Sequence, residues 1–224
     1  MSDFRQQFLQ FSIDQRVLRF GEFTTKAGRI SPYFFNAGLF ADGQRLKQLG
    51  EFYAKAILAA QIRFDVLFGP AYKGIPLTAG TAIALANEGH NYPWCFNRKE
   101  TKDHGEGGQL VGAPLQGRVL IIDDVISAGT SVRESIDLIR QHGAEPAGVI
   151  IAIDRMERGL GHLSAAQEVT QQHGIPVLAI ATLDDLLGYL QNHPDMQQYR
   201  QNILQYRTTY GVTTSEAHLN NSST

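Results

Sequence analysis

VLIIDDVISAGTSV, residues 119–132, is the stretch that decides the fold. Val119, Leu120, Ile121 and Ile122 are apolar in succession, which reads as a strand buried on both faces. Such a strand delivers Asp123 and Asp124 to its carboxyl end, the edge where open α/β sheets bind ligands. Ser127-Ala-Gly-Thr-Ser131 then forms a turn of small residues leading into a helix from about Thr130 to His142. A turn of this kind aims backbone N–H groups and hydroxyls at one phosphate, and the helix N-terminus adds favourable partial charge. The GxxxxGK[ST] spacing of a Walker loop is missing, and its lysine with it. Two adjacent acids suit what lies beside a sugar phosphate: ribose hydroxyls that donate to them, and a hydrated Mg²⁺.

Outward from that strand the chain alternates. Arg45 to Ala60 has helical spacing, Asp65 to Phe68 reads as a buried strand, and Ile75 to Asn87 as a helix of small residues. Tyr92 to Asn97, Val149 to Ile153 and Val177 to Ile180 repeat the strand pattern, with a helix from Ser164 to His173 between the last two. Apolar strands separated by helices predict a parallel sheet covered on both faces. Near the N-terminus, Phe4, Phe8, Phe11, Val17 and Leu18 follow a helical period from Ser2 to about Phe20, with Ser12 placed to cap a second turn. EFTTKAGRISPYFFNAGLF, residues 22–40, predicts a short hairpin around Gly28. RKETKDHGEGGQLVG, residues 98–112, fits neither period, and its four glycines and mixed charges predict a long loop between two strands. Thr213 to Thr224 is polar and predicts a frayed tail.

The chain has 224 residues, enough for one large α/β domain, and its 43% hydrophobic and 19% charged residues support a packed core. Lys and Arg number 20 against 22 Asp and Glu, so no cationic excess draws nucleic acid or an anionic membrane. Any anion site must be local. Ile75 to Ala86 is interrupted by Thr78, Gly80 and Thr81 and is too short to span a bilayer. MSDFRQQFLQF lacks the basic start and apolar run of a signal peptide, and the single Cys95 suits a reducing compartment, so a cytoplasmic location is expected. Seven scattered histidines without HExxH or paired spacing argue against a protein-built zinc site. Cys95 and Trp94 read as core residues.

VLIIDDVISAGTS resembles the signature with which type I phosphoribosyltransferases bind phosphoribosyl pyrophosphate (PRPP). From about Phe4 to about Tyr210 the chain is similar to the orotate phosphoribosyltransferase family. The resemblance implies an α/β type I phosphoribosyltransferase fold: a five-stranded parallel sheet flanked by helices, with a small N-terminal hood. It implies a single domain over residues 1–212, with the hood mainly in 1–40 and the core in about 41–212, followed by the polar tail 213–224. It also implies a homodimer with active sites shared across the interface. The implied reaction is Mg²⁺-dependent transfer of the 5-phosphoribosyl group from PRPP to orotate, giving orotidine 5′-phosphate and pyrophosphate in pyrimidine (UMP) biosynthesis. Mg²⁺ would be held mainly through PRPP and water.

Residue by residue, the resemblance makes Asp123, Asp124 and Lys102 catalytic, and assigns Asp123, Asp124, Val125, Ile126, Ser127, Ala128, Gly129, Thr130 and Ser131 to PRPP. It also assigns Ser127 to orotate; this residue stands where relatives often carry Thr, and some purine-type relatives an Asp, so it leans away from a purine substrate. FGPAYKGIP, residues 68–76, resembles the pyrophosphate loop, with Tyr72 and Lys73 at the contact positions, although a lysine in such a turn also reads as merely solvated. Residues 98–112 resemble the family's catalytic lid, with Arg98, Lys99, Lys102 and His104 on PRPP. Cations arriving on a closing lid stabilise the departing pyrophosphate more in the transition state than in the ground state. Without the resemblance the same stretch reads as a solvated loop, since Glu100, Asp103 and Glu106 nearly cancel its charge.

KAGRISPYFF, residues 26–35, resembles the orotate-binding hairpin, with Lys26 facing PRPP and Phe34 and Phe35 against the pyrimidine. Neighbouring strand residues point to opposite faces, so both rings cannot stack on one base, and one residue is expected to contact through its backbone amide. Arg155, in AIDRMERG, matches the contact to the orotate carboxylate, for which its planar fork is suited; a surface salt bridge is the simpler reading of an isolated arginine. Two rivals remain at this point. A phosphoribosyltransferase for another base is opposed by Phe34, Phe35 and Arg155, and a non-catalytic PRPP-sensing regulator calls for a basic face or an added domain.

Overall fold

The computed structural model describes residues 3–25, 27–102, 108–126, 129–159 and 161–212, except for the side chains of 101, 102 and 108. Asp3 caps the first helix, α1 (Phe4–Asp14), its carboxylate accepting from the Arg5 amide at 3.1 Å. Strands β1 (Leu18–Thr24) and β2 (Ile30–Phe35) pair antiparallel as a separate two-stranded sheet, the hairpin expected around Gly28. Helix α2 (Gly43–Ala60) leads to β3 (Val66–Gly69), α3 (Gly74–Asn87), β4 (Trp94–Lys102), β5 (Gly108–Gly112) and β6 (Arg118–Ile122). The chain continues through α4 (Thr130–Gln141), β7 (Glu145–Asp154), α5 (Ala165–His173), β8 (Val177–Thr182), α6 (Leu183–Gln191) and α7 (Gln197–Tyr210).

The main sheet runs in the order β5-β4-β3-β6-β7-β8. Five strands are parallel and β5 adds an antiparallel edge, one strand more than the resemblance implies. Alternate residues of the central strands enter opposite cores. Leu67, Leu120, Ile122 and Ile150 join residues of α1, α2, α3 and α6, whereas Phe68, Val119, Ile121 and Val149 join α4 and α5. Burying each such side chain contributes roughly 1.5–3 kcal/mol, which is why these strands are apolar at every position rather than at every second one. Asp65 pins the entry to the sheet: its carboxylate accepts from the Arg118 amide at 2.7 Å while its own amide donates to the Arg118 carbonyl at 2.7 Å.

Three sequence expectations need correction. The first helix ends at Asp14 rather than near Phe20, because Arg16 turns the chain at φ 57° and Val17 and Leu18 pass into the hairpin. Ser12 caps nothing; its hydroxyl is buried without a hydrogen-bond partner among the described residues. Residues 98–102 and 108–112 belong to a two-stranded ribbon, with Asn97 opposite Leu110 and Lys102 opposite Gly108. At a sheet edge both faces meet water and carry charge, so the ribbon shows no apolar period. Cys95 does lie in the core, and burial pushes its thiol up to about 12, which removes it as a nucleophile at neutral pH. Among the described residues no helix is long and apolar enough to cross a membrane.

Candidate functional site

The acids at the end of β6 are held by their own surroundings. Asp123 and Asp124 are 8% and 6% exposed. The Asp123 carboxylate accepts from the Asp124 amide at 2.9 Å and from the Ser131 hydroxyl at 3.2 Å. Its carbonyl accepts from the Tyr53 hydroxyl at 2.8 Å, so α2 braces the strand end. Asp124 accepts from the Val125 amide at 2.9 Å and from Lys73 Nζ at 2.6 Å. Burial first, and the neighbouring Asp124 second, push the Asp123 carboxyl up to about 6.

That shift has a signed consequence. A carboxyl raised in the folded state binds protons that the unfolded chain releases, so its contribution to stability falls as pH rises between 3.8 and about 6. Asp123→Asn is therefore expected to stabilise the fold at pH 7, by on the order of 1–3 kcal/mol, and to gain nothing at pH 3.5. Melting curves of both proteins across that range would test this; a gap independent of pH would refute it.

Beyond the acids the chain turns into α4. Val125 and Ile126 are half-buried against the two cores, one on each side. Gly129 occupies the N-cap position at φ 70°, where a side chain would be strained and its Cβ would lie 2.9 Å from the Arg133 guanidinium. Helix α4 has no side-chain cap hydrogen bond among the described residues, and Thr130 and Ser131 at its start are exposed, the kind of helix N-terminus that suits an anion. Ser127 and Ala128 lie outside the described residues, as do Lys26 and His104.

On the neighbouring strand, β3 ends at Gly69, where a Cβ would sit 2.3 Å from the Gly74 carbonyl; only glycine lets the turn close so tightly onto α3. The turn exposes Tyr72 (69%) and Lys73 (58% of its side chain), and the Ala71 amide donates to the Asn97 side chain at 2.8 Å, tying it to β4. Lys73 is no merely solvated lysine: it is the ion-pair partner of Asp124. Lys99, in β4, places its ammonium 5.6 Å from the centre of the Tyr72 ring. Arg98 is half-buried in the same strand, and Lys102 contributes its backbone to it.

The base side is built at the end of β7, the next parallel strand. Arg155 donates to Glu157 through Nε at 2.8 Å and Nη2 at 2.5 Å, and to the Ser31 hydroxyl through Nη2 at 2.8 Å. Its guanidinium lies over the Tyr33 ring at 4.3 Å. The simple surface salt bridge is thus replaced by a half-buried assembly that ties β7 to the hairpin. Ser31, Tyr33 and Phe35 share the buried face of β2; Phe34 lies on the other, stacked on Phe23 with centroids 5.5 Å apart. Phe35 packs on Phe8, so its ring is removed as a base-stacking group. The Phe34 ring in turn lies on the face opposite Ser31 and Tyr33.

Strands β3, β6 and β7 are adjacent, so Lys73, the acid pair and Arg155 come to one sheet edge in that order. Among the described residues no cluster of three or more His, Cys, Asp or Glu is arranged to hold a metal. Two carboxylates at one strand end beside a helix N-terminus do fit a Mg²⁺ that keeps its waters and arrives with a phosphate ester. The class this edge defines is the phosphoribosyltransferases. The model of the family described as "Phosphoribosyl transferase domain" matches residues 38–177. The orotate phosphoribosyltransferase of Chromobacterium violaceum is 66% identical over 212 residues, covering 95% of this chain and 99% of that protein. That of Laribacter hongkongensis is 65% identical over 212 residues, covering 95% and 100%. The crystal structure of the Francisella tularensis orotate phosphoribosyltransferase superposes with a TM-score of 0.84 at 42% identity, covering 92% of this chain and 99% of that one. The chain belongs to the orotate phosphoribosyltransferase family.

Proposed function

We propose that this chain transfers the 5-phosphoribosyl group of PRPP to orotate, forming orotidine 5′-phosphate and pyrophosphate on the route to UMP. The observation that carries the reading is the Lys73–Asp124 pair, 2.6 Å long, on the same sheet edge as Arg155. It supports the reading because a cation suits phosphate oxygens, acids suit ribose hydroxyls and a guanidinium suits a carboxylate, and the three sit at the ends of adjacent strands. Asp123 and Asp124 accept from the ribose hydroxyls and orient the anomeric carbon, where the bond to orotate's ring nitrogen forms as the bond to pyrophosphate breaks. The turn 125–131 and the open start of α4 hold the 5′-phosphate. Tyr72, Lys73, Arg98, Lys99, Lys102, His104 and Lys26 are proposed to line the pyrophosphate, where cations act on charge that grows in the transition state. When bound, Mg²⁺ neutralises part of the pyrophosphate charge. Orotate lies against the hairpin, through the backbone at Phe34 and Phe35, with Ser127 beside it and its carboxylate on Arg155.

The proposal includes a homodimer in the cytoplasm in which Arg98 and Lys102 reach the partner's pocket. Ile83 on α3, 64% exposed, supplies apolar surface for such an interface. Pyrophosphate release is expected with orotate, PRPP and Mg²⁺ and not with uracil or hypoxanthine in place of orotate; release with a purine base instead would refute the assignment. Arg155→Ala is expected to raise the orotate KM about ten- to a hundred-fold, the value of a charge-assisted hydrogen bond, with the PRPP KM within about twofold. Equal losses for both substrates would remove Arg155 from the carboxylate contact.

A further inference from the structure

Three parts of the chain meet at one carboxylate, that of Glu157. Its Oε1 accepts from Arg155 at 2.8 and 2.5 Å, and its Oε2 accepts from the Tyr206 hydroxyl of α7 at 3.2 Å. Arg29, in the turn of the hairpin, brings Nη1 to 3.9 Å of the same Oε2. The side chains of Glu157 and Arg155 are only 16% and 20% exposed, so this is no solvated surface pair. The backbone is pinned as well: Glu157 bridges to Gly211, and the Val212 amide donates to the Met156 carbonyl at 2.9 Å.

A guanidinium has five N–H donors in a fixed plane. In Arg155, Nε and Nη2 are taken by Glu157 and Ser31, and one face of the guanidinium plane is covered by the Tyr33 ring. Nη1 has no hydrogen-bond partner among the described residues. The plane therefore cannot turn, and a single amino group is left to meet an incoming anion.

We propose that Glu157 is a positioning residue for base recognition. It holds Arg155 so that Nη1 faces the substrate carboxylate, and through Tyr206 it makes α7, a helix far from the acid pair in sequence, part of the specificity apparatus. This inference rests on the reading of Arg155 as the orotate-carboxylate contact. Glu157 itself touches no substrate, so its effect must pass through Arg155 and must spare PRPP.

The test measures KM for orotate and for PRPP, together with melting temperature, in Arg155→Ala, Glu157→Gln, Tyr206→Phe and the double variant Arg155→Ala/Glu157→Gln. Glu157→Gln keeps the shape and loses the charge; the expected result is a rise of roughly tenfold in orotate KM, with the PRPP KM within about twofold. Tyr206→Phe is expected to move orotate KM the same way by roughly two- to threefold. The double variant is expected to match Arg155→Ala alone, because a residue acting only through Arg155 has nothing left to position. A fall in orotate KM for Glu157→Gln would mean that Glu157 competes with the substrate, and would overturn the proposal. So would equal rises in both KM values, or a double variant worse than Arg155→Ala by the full Glu157→Gln factor. If Glu157→Gln melts below the assay temperature, Tyr206→Phe decides, and an unchanged orotate KM overturns the proposal. Arg155→Ala measured alone reports separately on the underlying reading: if it leaves orotate untouched, that assignment fails first.

Discussion

Asp124→Asn is expected to lower kcat by about a hundred- to a thousandfold while the fold survives, the size of loss seen when one preorganised electrostatic contact to the reacting centre is removed. The carboxylate does two things here that an amide cannot. It carries the charge that holds Lys73 at 2.6 Å, and it offers two acceptor oxygens at the strand end. Stability changes little, since the Lys73 side chain is 58% exposed and water takes over its solvation, so the ion pair is worth only about 0–1 kcal/mol. Asp123→Asn is expected to cost activity in the same direction, distinguished by its gain in stability at neutral pH. Circular-dichroism melts beside single-substrate kinetics separate the two effects. Melting temperatures that collapse in both variants, with activity lost only in proportion, would make the acids structural.

Much of this was legible in the sequence because the relevant signals are local. Val119 to Ile122 are buried on both faces of one strand, so their apolar run needs no partner to be read, and Asp123 and Asp124 follow directly. Lys73 could be placed in a turn but not paired, because Asp124 is 51 residues away and only the parallel pairing of β3 with β6 joins them. The hairpin of β4 and β5 was hidden because its charges leave no periodic mark. Helix α7 carries a weaker apolar period than α2 or α4, whereas Thr182 and Asp185 form a capping box that marks the start of α6. Ser31 and Tyr33 were within reach of the period-two rule that set Phe34 apart from Phe35. Tyr206 was not, since nothing local in α7 tells the tyrosine that donates to Glu157 from Tyr199, which stacks on Phe20, or Tyr210, which packs under Arg29.

Who supplies the lid can be decided by mixing two inactive proteins. The backbone of Lys102 ends β4 opposite Gly108, beyond the stretch of β4 that pairs with β3. Take Lys102→Ala, with a disabled lid, and Asp124→Asn, with a disabled pocket; each alone is expected to be nearly inactive. If the chain forms the proposed homodimer, unfolding them together and refolding so that subunits pair at random gives about half heterodimers. If the lid crosses the interface, each heterodimer has one site that joins an intact pocket to an intact lid, while its other site collects both defects. Roughly a quarter of all sites then recover activity, against almost none when each lid serves its own pocket. Neither mutation lies in the recovered site, whose two chains each carry one of them elsewhere, so the rescue cannot come from repair within a subunit. A tag on one variant confirms that heterodimers formed. Heterodimers present in the expected amount, with activity no higher than that of either parent, would end the shared-site reading and confine Lys102 to its own chain.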